Sequence, residues 1–233
     1  MGREPSVKPS SEASKQQAAE AALAWLPQRG VVGLGSGSTA AFFIEAVARL
    51  VAAGRELTGV ATSMESRRLA QTLGVPLLSD AGPWDVDVCV DGADEVSRKL
   101  DLIKGGGGAH TREKLVNRAA AFNVIIVDES KLSGQLGEKW PVPIEVLPFG
   151  MGNAQRALER WGKVTLRERQ GRAFVTDSGN HILDLHAGVI ADPAALDREL
   201  QQVPGVVETG LFIARADVVV VAGELGIREL RPR

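Results

Sequence analysis

The 233-residue chain is 44% apolar and 24% charged, the mixture of a soluble globule with a real core, in one large domain or a main domain carrying a smaller one. Its formal net charge of -2 supplies no field for gripping nucleic acid or an anionic membrane surface, so any bound anion must be held by local groups. The single cysteine, Cys89 in "VDVCV", excludes an internal disulfide and a cysteine-based zinc cluster and fits a reducing, cytoplasmic setting.

No apolar stretch approaches membrane-spanning length, and the first residues lack a charged-then-apolar signal pattern. Residues 1–12, "MGREPSVKPSSE", are polar and rich in Pro and Ser and read as a disordered tail. "ASKQQAAEAALAWL", 13–26, has the Ala, Gln and Leu content of a helix. "GVVGLGSGSTAAFFIEAVARL" then predicts a buried strand, a Gly/Ser turn and an apolar helix beginning near Ser38. The unit repeats: "LTGVATS" predicts a strand, "MESRRLAQTLG" a helix closed by Gly74, and "VPLLS" a strand edge. "DVDVCV" is a buried strand ending on "DGADEV". After a run of glycines, "TREKLVNRAAAF" predicts a helix and "NVIIVDESK" a strand. Strands alternating with helices through short connections indicate a parallel sheet covered on both faces.

The rhythm changes after Trp140. The prolines of "PVPIEVLP" suit an edge or linking segment. "NAQRALERWG" reads as a helix, and "KVTLRE", "AFVTDS" and "HILDLH" as successive strands. "ADPAALDRELQQVPG" predicts a helix with Asp192 as N-cap and Pro193 at its first position. This small α+β part spans 140–210, and "ADVVVVAG" is a buried strand expected to return to the main sheet.

Loops at the carboxyl ends of parallel strands are where such sheets bind ligands, and three of them carry unusual residues. In "GLGSGSTA", glycines let backbone amides approach a ligand, and Ser36, Ser38 and Thr39 add hydroxyls at a helix start, which favours an anion such as phosphate over a plain tight turn. A dinucleotide is not expected, because Ser38 stands where the third fingerprint glycine belongs and "LTGVATS" ends without the ribose-binding acid. "DGADEV" brings three carboxylates into five residues, open to metal binding, proton transfer or a solvated turn. A metal site finds little support: His181 and His186 are an odd number apart on a predicted strand, and His110 stands alone, more in keeping with a helix start. In "KGGGGAHTREK" the glycine run joins a strand to a helix, so it is no linker. It permits close backbone approach between Lys104 and Glu113, and the whole pattern suggests proton shuttling on a small phosphorylated molecule.

"GLGSGSTA", "DGADEV", "KGGGGAHTREK" and "DESK", in this order and spacing, resemble ribose-5-phosphate isomerase, type A. The resemblance continues through "PVPIEVLPFG", "VTDSGNHILDLH" and "VPGVVETGLF", so it runs from about Ser14 to the end. It implies reversible conversion of D-ribose 5-phosphate to D-ribulose 5-phosphate in the pentose phosphate pathway. It implies no metal or organic cofactor, and commonly a homodimer or higher homo-oligomer, while the net charge of -2 already speaks against a nucleic-acid or membrane partner. Position by position, Glu113 matches the catalytic base, which moves a proton between C2 and C1 through an enediolate. Asp91 and Asp94, with Gly92 and Ala93 between them, match substrate-contacting acids that handle hydroxyl protons and ring opening. Lys104 and the amides of Gly105, Gly106 and Gly107 match the group beside the reacting oxygens. Ser36, Gly37, Ser38 and Thr39 match the phosphate-side loop, where many relatives have Thr in place of Ser36. Lys131 matches a further ligand-binding lysine and Lys15 an N-terminal phosphate contact. Gly108 and His110 depart from the family pattern.

With the resemblance added, the expected fold class is α/β. A Rossmann-like parallel sheet with helices on both faces spans 13–139 and 211–233 and acts as the catalytic domain, and a smaller α+β (ferredoxin-like) domain spans 140–210. Two alternatives belong to other classes: a sugar-phosphate-sensing regulator, which would need a DNA-binding segment, and a CoA transferase, in which acyl-CoA would trap Glu113 covalently.

Overall fold

A computed structural model describes residues 11–232. The expected tail therefore lies outside the described residues as far as residue 10, and residues 11 and 12 already belong to the first helix. That helix, α1 (Ser11–Ala22), leads through a tight turn to β1 (Arg29–Leu34), α2 (Ser38–Ala52), β2 (Glu56–Ala61) and α3 (Met64–Thr72). Ser63 caps α3 by accepting the Ser66 N–H, and Gly74 turns the chain away at φ +77°. There follow β3 (Val86–Asp91), the short strands β4 (Glu95–Val96) and β5 (Leu102–Ile103), then α4 (His110–Ala119) and β6 (Ala120–Asp128). The smaller part comprises β7 (Val142–Val146), α5 (Met151–Leu158), β8 (Lys163–Leu166), β9 (Glu168–Arg169), β10 (Arg172–Ala173), β11 (His181–His186), α6 (Pro193–Leu200) and β12 (Val206–Thr209). β13 (Leu211–Phe212), β14 (Val218–Gly223) and β15 (Gly226–Leu230) bring the chain back.

The main sheet has the order β15-β14-β6-β3-β1-β2, parallel throughout except for β15, which runs antiparallel along the edge beside β14. From β1 the chain steps outward to β2, then crosses back over β1 to β3. That reversal opens a crevice between the carboxyl ends of β1 and β3, the place where such sheets receive ligands. Side chains alternate between two apolar layers. Val32, Leu34, Val88, Val124 and Ile126 face α1 and α2, while Ile125, Val127, Val219 and Val221 face the other way. The second face is covered by α4 and by a three-stranded sheet of order β13-β5-β4, so helices supply only part of that layer.

The smaller sheet is antiparallel with the order β12-β7-β11-β8, and α5 and α6 bury Ala154, Leu158 and Leu200 against it. Asp192 caps α6 by accepting from Ala195, with Pro193 at the first position, as the sequence predicts.

Several expectations need correction. "PVPIEVLP" is an interior strand, since β7 pairs with β11 on one side and β12 on the other and is buried along its length. Pro143 is tolerated there because the β12 ladder begins only at Ile144, and its carbonyl accepts the Gly210 N–H at 2.7 Å. "AFVTDS" contributes only Ala173 to a two-residue hairpin strand, and "VPLLS" only a single bridge from Leu77 to Gly59. α4 stops at Ala119, because "AAF" enters the parallel ladder of β6 beside β3. The edge strand β15 has no forecast in the sequence.

Candidate active site

The site is built on the crevice between β1 and β3. After β1, Gly35 passes so close to Asp91 that a Cβ would lie 2.2 Å from its Oδ1, so only glycine lets the loop close there. The backbone then clamps that carboxylate, with Ser36 N–H donating to Asp91 Oδ1 at 2.9 Å and Gly92 N–H at 2.8 Å. Lys104 enters from the end of β5. Its Nζ lies 2.9 Å from Asp91 Oδ2 and 3.1 Å from Glu113 Oε2 and donates to Gly92 O at 2.7 Å. Glu113 reaches it from the first turn of α4. Asp91 and Lys104 are each 3% exposed and Glu113 6%.

Two carboxylates facing one ammonium in such a dry place would leave excess negative charge, which is costly to bury. A proton relieves it. Burial pushes the Glu113 carboxyl up from its ordinary 4.5 to about 8, against the pull of Lys104, with the nearby Asp91 and Asp94 adding to the rise. For Lys104, burial favours the neutral amine, but the charges of Asp91 and Glu113 outweigh it and hold its pKa above the usual lysine value. The cluster thus sets the Lys104 cation against two carboxyl groups, one of which, Glu113, is poised near neutral pH.

The remaining carboxylates of "DGADEV" separate. Asp94 Oδ2 accepts the Gly106 N–H at 2.6 Å. Glu95 points away, 0% exposed, and receives the N–H groups of Gly137, Lys139 and Trp140 at 3.0–3.3 Å. It therefore fixes the segment bearing Trp140, over whose ring Lys131 Nζ sits at 5.2 Å.

At the other end, Gly37 precedes α2 at φ +87° and offers it no side-chain cap, so the first amides of that helix stay open to an anion. Lys15 Nζ, from α1, donates to Ser38 Oγ at 2.9 Å, which leaves the Ser38 proton for another acceptor. Ser36 differs. Thr62 Oγ1 gives its only proton to Leu34 O at 3.1 Å, so in the 2.7 Å contact with Thr62 it is Ser36 that donates.

Lys15, Ser36, Gly37, Ser38 and Thr39 on one side, and Gly92, Ala93, Asp94, Lys104, Gly105, Gly107, Glu113 and Lys131 on the other, line a single cleft of about 140 Å³. Of the residues expected in the site, Asp91 and Gly106 lie behind its wall. His110, at the start of α4, is fully buried against Gly105, and burial, then the charge of Lys114, pushes its pKa down to about 3. His181 and His186 lie elsewhere, on β11. Among the described residues no group of three or more His, Cys, Asp or Glu side chains is disposed to hold a metal ion.

Three supporting residues escaped the sequence reading. Glu145, on β7, is 1% exposed and accepts from Thr111 at 2.5 Å, Thr176 at 2.9 Å and Asn180 at 2.8 Å, tying the start of α4 to the smaller sheet. Its signal was a lone charge inside an apolar strand. Lys114, buried, donates to Glu208 Oε1 at 2.8 Å and Thr209 O at 2.7 Å, holding the same helix to β12. Arg167, just after β8, donates through Nη1 to the carbonyls of Gly105 at 2.6 Å and Gly106 at 3.1 Å. Nothing in the charged run "LRERQGR" set it apart.

Comparison with known proteins bears on what this cleft does. Residues 58–226 match the family model described as ribose 5-phosphate isomerase A (phosphoriboisomerase A). The ribose-5-phosphate isomerase A of Desulfatibacillum aliphaticivorans is 48% identical over 226 residues, covering 95% of this chain and 98% of that protein. The solved ribose 5-phosphate isomerase A of Methanocaldococcus jannaschii superposes with a TM-score of 0.90 at 40% identity, covering 95% of this chain and 100% of that one. A D-ribose-5-phosphate isomerase solved in complex with phospho-erythronic acid gives 0.92 at 38% identity, covering 96% and 100%. With the family model matched over most of its length and near-half identity to a relative of the same size, this chain belongs to the ribose 5-phosphate isomerase A family.

Proposed function

We propose that this chain interconverts D-ribose 5-phosphate and D-ribulose 5-phosphate with Glu113 as the base that carries the proton. Family membership supports the overall reaction. The observation that carries the residue assignment is the buried Lys104–Asp91–Glu113 cluster, which shares one cleft with the uncapped start of α2.

The phosphate rests on the open amides of α2 with Ser38, Thr39 and Lys15, which leaves C1 and C2 at the Glu113 end. With the sugar open, the Glu113 carboxylate takes the C2 proton. The C–H electrons form the C1–C2 double bond, and the carbonyl electrons move onto O1 to give an enediolate. Lys104 and the glycine-loop amides stand where that negative charge develops. Glu113 then returns the proton to C1 as the C2 carbonyl forms, and the O2 proton passes to O1. Asp94, on the cleft wall, is the group placed for that hydroxyl transfer and for opening the ring, while Asp91, behind the wall, holds Lys104 in position. Lys131 adds a cation on the cleft wall. The donor set of the cleft, carboxylates, amines and amides, performs each step without calling on a metal.

The phospho-erythronic acid bound in a relative supports this reading. A phosphorylated four-carbon acid offers a phosphate for one end of the cleft and a carboxylate that imitates enediolate oxygens at the other. The same proposal takes 13–139 with 211–233 as a Rossmann-like catalytic unit and 140–210 as a ferredoxin-like one, the latter on its β-α-β-β-α-β order. It also takes the working protein as a cytoplasmic homo-oligomer; among the described residues no helix is long and apolar enough to cross a membrane. The test is turnover of ribose 5-phosphate by wild type and Glu113→Gln. The amide keeps the shape but cannot accept a proton, so kcat drops by about 10²–10⁴ with KM little changed. A change confined to KM would remove Glu113 from the role of base.

A further inference from the structure

The glycine loop has left-handed backbone at Gly105 (φ +108°) and Gly108 (φ +89°), a shape that could swing freely if nothing held it. What holds it comes from the smaller sheet. Arg167 Nη1 donates to both Gly105 O, 2.6 Å, and Gly106 O, 3.1 Å. The same guanidinium is forked onto Asp184 of β11, through Nε to Oδ2 at 2.9 Å and through Nη2 to Oδ1. Both side chains are nearly buried, at 16% and 15% exposure.

In a trans peptide the N–H points opposite to the C=O. The Gly105–Gly106 peptide shows it: its carbonyl is held by Arg167 while its N–H is held by Asp94 Oδ2 at 2.6 Å. The Gly106–Gly107 peptide has its carbonyl on the same Arg167 nitrogen, so the Gly107 N–H is turned to the Asp94 side, toward the cleft. Among the described residues that N–H makes no hydrogen bond, and a Cβ on Gly107 would meet nothing within 4 Å. An amide fixed in direction and unpaired, on a residue that lines the cleft together with Lys104, is a preorganised donor for developing negative charge.

We infer that Arg167, clamped by Asp184, is a positioning residue for the isomerisation: it orients the Gly106–Gly107 peptide so that the Gly107 N–H meets the enediolate oxygen. Arg167 itself touches no reacting atom. The inference rests on the site reading above, which assigns the Glu113 end of the cleft to the reacting carbons. It gives the smaller sheet a catalytic task. Lysine could supply the charge but not the fork, so it restores only part of the effect.

The test measures kcat and KM for ribose 5-phosphate, and dissociation constants for phospho-erythronic acid and inorganic phosphate, in Arg167→Met, Arg167→Lys and Asp184→Asn. Arg167→Met is expected to lower kcat about 10–100-fold, the loss of one oxyanion donor being worth up to 10²–10³. KM and phosphate affinity should stay within about threefold. Phospho-erythronic acid should weaken about tenfold or more, because its carboxylate needs the oriented amide. Arg167→Lys should recover part of both losses, and Asp184→Asn, which leaves the arginine in place, should give a smaller loss of the same kind. Wild-type kcat in both Arg167→Lys and Asp184→Asn, or equal weakening of phosphate and phospho-erythronic acid, overturns the inference. If Glu113→Gln turns over normally, the underlying site reading fails instead, so the two failures are distinguishable.

Discussion

The two ends of the cleft solve opposite problems with charge. At the Glu113 end, two carboxylates and an ammonium are almost wholly withdrawn from water, and burial pushes Glu113 up to about 8. At the Ser38 end the charge is open to the cleft, made of helix amides without a side-chain cap and of Lys15 resting on Ser38 Oγ. The first arrangement tunes a proton, and a slight change in its charge count alters what it can do. The second suits an anion and calls for no finely set pKa. A site for proton transfer on a phosphorylated molecule needs both, held apart on neighbouring strands.

The contrast breaks most visibly if the buried cation is removed. Lys104→Met leaves Asp91 and Glu113 without a counter-charge and should lower stability by about 3–5 kcal/mol at pH 7. Urea unfolding should show a larger loss at pH 9, where wild-type Glu113 is ionised and relies on Lys104, than at pH 7, where it is mostly protonated. A neutral substitution with the same loss at both pH values would mean that packing, not charge, governs this end. At the open end, Ser38→Ala or Thr39→Ala should weaken kcat/KM for ribose 5-phosphate by about 1.5–3 kcal/mol, the range for hydrogen bonds to charged groups, with little effect on unphosphorylated ribose. Ser36→Ala should matter less, because that hydroxyl donates to Thr62. Equal losses for both sugars would make the loop structural.

A gentler perturbation is pH. With the Glu113 carboxyl raised to about 8, the base form is the minority at pH 7, so kcat/KM should climb as pH rises and level off above about 8. Below that value each unit of pH should change it about tenfold. The sign for stability is reversed. A carboxyl whose pKa is higher folded than unfolded contributes stability below 4.5 and loses it as pH rises through about 8, so Tm should decline over that window. A flat kcat/KM profile from pH 6 to 9 would contradict the shift. The smallest expected effect is that of a chelator: exhaustive EDTA treatment should leave turnover unchanged, and lasting loss restored by one divalent ion would reassign Asp91 and Asp94 as ligands.

The two ends were not equally legible in the sequence. Glycines and hydroxyls before an apolar helix announce a turn into a helix start on composition alone, and α2 begins at Ser38 as expected. The glycine run before Glu113 likewise marked a close approach. What could not be read were the residues that act from a distance in sequence. Arg167 and Glu145 reach the site only because the smaller sheet lies against α4 and the glycine loop, and a charge in a strand looks alike whether it is solvated or paired. Glu95 misled for the same reason, grouped with Asp91 and Asp94 by spacing but turned to the 137–140 segment by β4. Prolines in and beside β7 pointed to an edge, because their missing N–H groups say nothing of where the neighbouring ladder begins. Gly108 and His110 find ordinary explanations: a Cβ on Gly108 would strike Phe174 at 2.4 Å, and His110 packs under Gly105.

The central claim is that Glu113, and no other group, carries the proton between C2 and C1. It is tested most directly by following deuterium in D₂O by NMR, with ribose 5-phosphate on wild type and Glu113→Gln, alongside phospho-erythronic acid binding to both. Wild type should place solvent deuterium on the transferred carbon during turnover. The variant should lose that exchange by about 10²–10⁴, the scale of general-base catalysis, while holding phospho-erythronic acid within about threefold. Exchange at the wild-type rate in Glu113→Gln would contradict the account.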